Sequence, residues 1–291
     1  MALVLNPMFD LKTTYFFIGG IAGITPHCGT LGSVNFARFT VQVALSYEVD
    51  AKQKPENFST GYFLQGSSAP GEPAGNIYGT EVFEVNTNLL DKVLNVTKNV
   101  VLNDSTDVAA YRALYGYAPV SEPPSVVQGT VTTSDVYFFG SLLGEVFANV
   151  TKIFTGGKGA GSDYCTTAQE DNATLESLIR AARAGLVDFS RIIIMRTASD
   201  LDRAPPGVDE YTSFTADQGG FEIALEHIYV AGKPVIDSII QEWDDLYLEG
   251  IAPQANFTTT ADDIQSLDIP ETYTYRKRSM QGKASMFAKR R

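Results

Sequence analysis

Residues 191–207 read RIIIMRTASDLDRAPPG. A β-branched apolar run ends at Met195, and Arg196, Ser199, Asp200, Asp202 and Arg203 follow directly. Two arrangements would produce such a cluster. One is a solvated exit from a strand, stitched by surface ion pairs. The other is a ligand site at the carboxyl end of a strand, where open α/β sheets bind their ligands.

The segments around this stretch favour a layered α/β fold. Upstream, QEDNATLESLIRAARAGL (169–186) places Ala173, Leu175, Leu178, Ile179, Ala182 and Leu186 on one helical stripe, with Gly185 near its end. Downstream, 219–250 predicts one or two helices. TTYFFIGGIAGI (13–24) predicts a strand apolar on both faces, as in the centre of a covered sheet. One or two further strands are expected over 32–50, another over 125–141, and helices over 81–115 and 141–154. Residues 2–10 look like the end of a helix, and 51–80 form a long Pro/Gly/Ser-rich loop. VYFFGSLLGEVFANV (136–150) is too short to span a bilayer and contains Glu145, so it is expected in a core. Alternating strands and helices without repeats or linkers predict one α/β sandwich covered on both sides.

Composition narrows the function. The 291-residue chain has a formal net charge of −12, which argues against nucleic acid as a partner. The charge is uneven. From Arg276 onward the chain carries Arg276, Lys277, Arg278, Lys283, Lys289, Arg290 and Arg291 and no acid, and a basic tail over 271–291 is expected to be a disordered appendage. Cys28 and Cys165 could make one disulfide, but with His27 and His227 they form no metal motif, and no metal is expected. There is no G-x-S-x-G elbow, no spanning segment and no basic leader at the start. Six of twelve asparagines head N-x-[ST] sequons, namely Asn57, Asn95, Asn103, Asn149, Asn172 and Asn256. That frequency fits a secretory origin or a Thr-rich chain.

Three stretches could carry chemistry. IGGIAGITP (18–26) sets Gly19, Gly20 and Gly23 where backbone N–H groups can approach an anion or a sugar. Glu170 and Asp171 stand at a helix start, where the dipole favours carboxylates. RTASD (196–200) offers a guanidinium and a carboxyl, whereas Asp202 and Arg203 are expected to be an exposed pair holding a loop.

Taken together, FFIGGIAGITP, LGSVNFARFTVQVALSYEVDA, YCTTAQEDNAT and RTASDLDRAP resemble the fungal purine nucleoside permease family over about residues 2–255. That family in turn is similar to the nucleoside phosphorylase and nucleosidase superfamily. The resemblance implies a three-layer αβα domain over 1–270 with a purine nucleoside pocket at one edge of a mixed sheet. It implies that Gly19, Gly20 and Gly23 border phosphate and ribose, although many relatives have a serine where Gly20 stands. It implies that Glu170 accepts hydrogen bonds from the ribose hydroxyls and that Gln169 replaces the usual Met. Arg196 would face phosphate or attacking water, and Asp200 would address N7 of the purine. The expected activity is cleavage of the N-ribosyl bond by phosphate or by water, with inorganic phosphate as a co-substrate in the first case and no other cofactor. A nucleoside-binding protein linked to transport, or an inactive relative, is the alternative. A homo-oligomer and an extracellular or cell-surface location fit the resemblance. Relatives begin upstream of MALVLNPMFDL, so the sheet is expected to lack its first strand and to expose an edge, with lower stability and activity than a form with an upstream segment restored. A glycan at Asn172 would block the pocket, so that residue is expected bare.

Overall fold

The computed structural model describes residues 2–257 except Pro7, Lys158 and Asn256. The basic tail and the sequon at Asn256 lie outside the described residues. The order is β1 (Phe16–Ile24), β2 (Val34–Gln42), β3 (Ser46–Glu48), β4 (Tyr62–Leu64), β5 (Val82–Glu84), α1 (Thr87–Thr97), α2 (Thr106–Arg112), β6 (Val126–Thr133), α3 (Ser141–Thr155), β7 (Tyr164–Ala168), α4 (Asp171–Arg183), β8 (Ile192–Leu201), α5 (Glu210–Thr215) and α6 (Gly220–Gln241).

The central sheet is mixed, in the order β5-β2-β6-β7-β1-β8, and β8 also pairs with β2. The strands therefore close into a ring. β1 runs parallel to β8, whereas β2 meets β8 antiparallel, pairing Asn35 with Arg196. One seam of the ring is short. β1 pairs with β7 only through Gly23 and Ile24, so no described strand borders Phe16–Ala22 on that side. Phe16–Ala22 is correspondingly half-exposed rather than covered on both faces, apart from Gly19, which is exposed, and Ala22, which is buried.

Helices seal the ring from several directions. Leu89, Leu90 and Val93 of α1, Leu175 and Ile179 of α4, and Ala231 and Val235 of α6 pack around Phe36, Ile192, Ile194 and Met195. Phe147, Val150 and Phe154 of α3 pack against Phe39, Val41 and Tyr164 in a second cluster. Each large aliphatic chain so buried contributes about 1.5–3 kcal/mol relative to exposure. Cys28, just beyond β1, forms a disulfide with Cys165 of β7, with their Cα atoms 5.2 Å apart. It crosses a separation of 137 residues beside the short seam.

Three expectations are corrected. Residues 2–5 form turns rather than the end of a helix, since Asn6 turns back to accept from the Met8 N–H and Pro7 cannot continue a helical ladder. Residues 82–84 form β5 on the edge of β2, and helix begins only after Asn86, whose side chain caps the N–H groups of Asn88 and Leu89. The strand expected over 189–199 is present as β8, which runs past the apolar stretch to Leu201. Asp202 and Arg203 are not an exposed pair: they are 2 % and 5 % exposed. Arg203 bonds Asp202 and Glu145, and Tyr164 donates to Asp202 at 2.5 Å. The pair ties β7 and α3 to the strand exit from inside.

Candidate functional site

The carboxyl-terminal halves of β1 and β8 lie side by side, with Gly20 opposite Arg196 and Ala22 opposite Ala198. The next pair is Gly23 with Asp200, so β8 holds one extra residue, Ser199, in a bulge. A bulge bends its strand and re-aims the side chains beside it. The outcome is a cavity of about 370 Å³ bordered by Arg196, Ser199 and Asp200 of β8 and by Gly20–Gly23 of β1. Its other walls are the segment after β6, with Ser134, Val136, Tyr137 and Phe138, and Thr167–Glu170, which runs from the end of β7 to the start of α4. That volume falls within the roughly 300–1,000 Å³ of small-molecule sites.

Arg196, Asp200, Glu170, Gly20 and Gly23 thus share one cavity. Gly19 does not join them. A Cβ there would meet Phe17 and Met195, and Gly19 does not border the cavity. The other two glycines have steric reasons. A Cβ at Gly20 would come 2.5 Å from Arg196 Nη1, and one at Gly23 would come 2.5 Å from Thr167 Oγ1 and 3.0 Å from Asp200 Oδ2. A serine could not stand at position 20 without moving the arginine.

Arg196 is 2 % exposed and fully engaged. It donates from Nε to Asp171 Oδ2 at 3.1 Å, from Nη2 to Asp171 Oδ1 at 2.6 Å and to Glu170 Oε1 at 2.5 Å, and from Nη1 to the Ile21 carbonyl at 3.3 Å. Asp171 is completely buried. This guanidinium is therefore neutralised from within and orients Glu170. Glu170 stands at the N-cap of α4 without making a side-chain cap bond, and its carboxylate is 60 % exposed. Burial alone would raise its pKa, but the Arg196 hydrogen bond and charge outweigh this and hold it below the usual carboxylate value. A depressed pKa stabilises the fold above the group's ordinary value, about 4.3, and that stability fades as pH falls through the lowered value. The difference in unfolding midpoint between wild type and Glu170→Gln is expected to be constant above about pH 5 and to vanish in more acidic solution. Solvent screening limits it to about 1 kcal/mol or less. Thermal unfolding of both proteins from neutral pH downward measures it, and a difference that grows on acidification would reverse the sign.

Asp200 has a donor at each oxygen. Tyr137 Oη donates to Oδ2 at 2.7 Å, and Ser199 Oγ lies 2.7 Å from Oδ1 and 3.2 Å from the Ala22 carbonyl. The serine has one proton to place. It donates to Oδ1 when Asp200 is ionised, and it can accept from a protonated Oδ1 while donating to Ala22. The same heavy atoms accommodate a proton on either oxygen of this pair.

Tyr137 was not among the residues picked from the sequence. VYFFGS looks like core, yet Tyr137 is 57 % exposed and sits between β6 and α3. Two other polar candidates are structural. His227 is fully buried between the Gly32 carbonyl and the Asn103 N–H. Asn172 is 4 % exposed, accepting from Thr133 and donating to the Thr80 carbonyl, so its amide is not open to a glycan.

The chain is thus a mixed α/β protein with a cavity at the carboxyl ends of two parallel strands. A model of the purine nucleoside permease family matches residues 1–252, and the chain belongs to that family. A purine nucleoside permease of Candida albicans is 44% identical over 254 residues, covering 86% of this chain and 62% of that protein. A probable purine nucleoside permease of Schizosaccharomyces pombe is 38% identical over 252 residues, covering 84% of this chain and 72% of that protein. The chain therefore spans 62% of the length of the Candida relative. Among solved structures it is similar to a 5′-methylthioadenosine/S-adenosylhomocysteine nucleosidase from Neisseria meningitidis, in complex with methylthio-immucillin-A. That match has 13% identity and a TM-score of 0.43, covering 81% of this chain and 73% of the other, and at that distance it carries no argument. No helix among the described residues is long and apolar enough to cross a membrane.

Proposed function

We propose that the cavity binds a purine nucleoside and that the protein cleaves its N-ribosyl bond, with Asp200 protonating the departing base. The observation that carries this reading is the Ala22–Ser199–Asp200 hydrogen-bond chain at the cavity wall, which holds the carboxyl in either protonation state. As the C1′–N9 bond breaks, its electron pair stays with the base, and a proton moves from Asp200 to N7. General acid help of this kind contributes typically about 10²–10⁴-fold. Glu170, oriented by Arg196, accepts from the ribose hydroxyls and holds the sugar while it reacts; the Arg196–Glu170 hydrogen bond supports this role. Water then adds its oxygen to C1′ and returns a proton to the carboxyl. The internal pairing of Arg196 favours water over phosphate, because no uncommitted charge on that residue is left for an anion.

The same pairing favours a second reading, in which the nucleoside is captured without cleavage and serves uptake, as the relatives' name implies. Incubation with inosine, adenosine or guanosine, with and without phosphate, separates the two. Free base released at equal rates in both conditions supports hydrolysis. Release that depends on phosphate overturns the assignment to water, and tight binding with no release supports capture. An extracellular or cell-surface location is part of the proposal, supported by the disulfide and by exposed sequons at Asn57, Asn95, Asn103 and Asn149.

A further inference from the structure

A second hollow of about 220 Å³ adjoins the cavity, and the two share Tyr137, Ser199 and Asp200. The second hollow is aromatic, bordered by Phe139, Phe214 and Phe221. The Tyr137–Asp200 hydrogen bond spans the boundary between them. With Ser199 on one oxygen and Tyr137 on the other, both oxygens of the carboxyl are in use inside the protein.

The segment bearing Tyr137 is anchored at its ends and by Phe138, which is buried against Phe147, whereas the Tyr137 side chain itself is loosely held. At one end Ser134 is buried, and its Oγ bonds the Val136 backbone. At the other, the Gly140 N–H bonds the Asp202 carbonyl at 2.8 Å, and Gly140 has φ +115°, a conformation that favours glycine. Between these points the phenol ring touches Phe214 edge-on, with centroids 5.8 Å apart, and Phe214 is itself half exposed. Swinging the ring outward breaks one hydrogen bond and one exposed aromatic contact. It also merges the two hollows and frees an oxygen of Asp200.

We propose that Tyr137 is a latch on Asp200, a positioning residue whose hydroxyl must be exchanged for the ligand before a base can address the carboxyl. The proposal rests on the nucleoside reading above and adds a gating step to it. The ring and the base compete for one place, so part of the binding energy is spent in opening the latch. Removing the hydroxyl removes that cost while leaving the ring and its packing.

Inosine binding by isothermal calorimetry and association rates by stopped flow test the latch in the full chain. Tyr137→Phe is expected to bind inosine about tenfold more tightly, the upper worth of one ordinary hydrogen bond. The gain is expected in the association rate. In an Asp200→Ala background, Tyr137→Phe is expected to change binding by less than about twofold, because the acceptor is gone. Unchanged or weaker binding by Tyr137→Phe, while wild type binds, overturns the latch and leaves the nucleoside reading standing. Failure of every form to bind any purine nucleoside overturns both. Should Tyr137→Phe fold poorly, Phe214→Leu loosens the same ring from its other side, and an association rate no faster than wild type counts against the latch.

Discussion

Replacing Asp200 with Asn is expected to lower release of free purine base by about 10²–10⁴-fold while leaving the thermal midpoint nearly unchanged. The substitution conserves shape. Tyr137 can still donate to the amide oxygen, and Ser199 can still bond the amide nitrogen while donating elsewhere, so no buried polar atom is orphaned. What is lost is a dissociable proton at the cavity wall. The loss should fall on kcat, because the carboxyl acts as the bond breaks, whereas ribose contacts through Glu170 remain. Ser199→Ala should be milder: the carboxyl remains, but its exchange with the Ala22 carbonyl is cut. Initial rates of base release with inosine measure both, and a wild-type rate in Asp200→Asn removes this residue from the chemistry.

Arg196→Met is expected to act on the fold before it acts on the reaction. Asp171 is completely buried, and its carboxylate meets the guanidinium through both oxygens. Removing one partner of such a pair typically costs about 3–5 kcal/mol, because the other charge stays behind without solvent. Against a total stability of about 5–15 kcal/mol, that is a large share. The thermal midpoint should fall by about 10 °C or more. Arg196→Met with Asp171→Asn should recover much of the loss, since the second change removes the stranded charge. A different pattern is expected if Arg196 serves an anion. The single variant would then keep its midpoint and show a raised KM for phosphate, and the double variant would bring no recovery. Differential scanning calorimetry of the three proteins decides between the two.

These two residues also mark what the amino-acid sequence could and could not convey. Asp200, Glu170 and Arg196 were found through their motifs, and all three border one cavity. Their relations were not legible. The bulge at Ser199 is one residue of register between strands that are distant in sequence, and no composition signals it. Asp171 does open α4, as read, but its pairing with Arg196, 25 positions away on β8, was not legible. The charges at Asp202 and Arg203 suggested solvent, but both are buried, with Tyr164 donating to Asp202 inside and Glu145 meeting Arg203 from the surface. Tyr137 was hidden by its neighbours, since aromatic residues in a row usually mean a core. The strands and helices themselves were largely visible in the alternation of apolar residues. Closure of the sheet through β2 and β8 was not, because it depends on how the whole set curves.

The cysteine bridge has a practical corollary. It fastens the tip of the strand that floors the cavity to the strand that feeds Glu170, across the weakest seam of the ring. Material made in a reducing cytosol would leave that seam to two residue pairs alone. Assays on such preparations would interrogate a looser molecule, and a negative result from them would say little about the oxidised one.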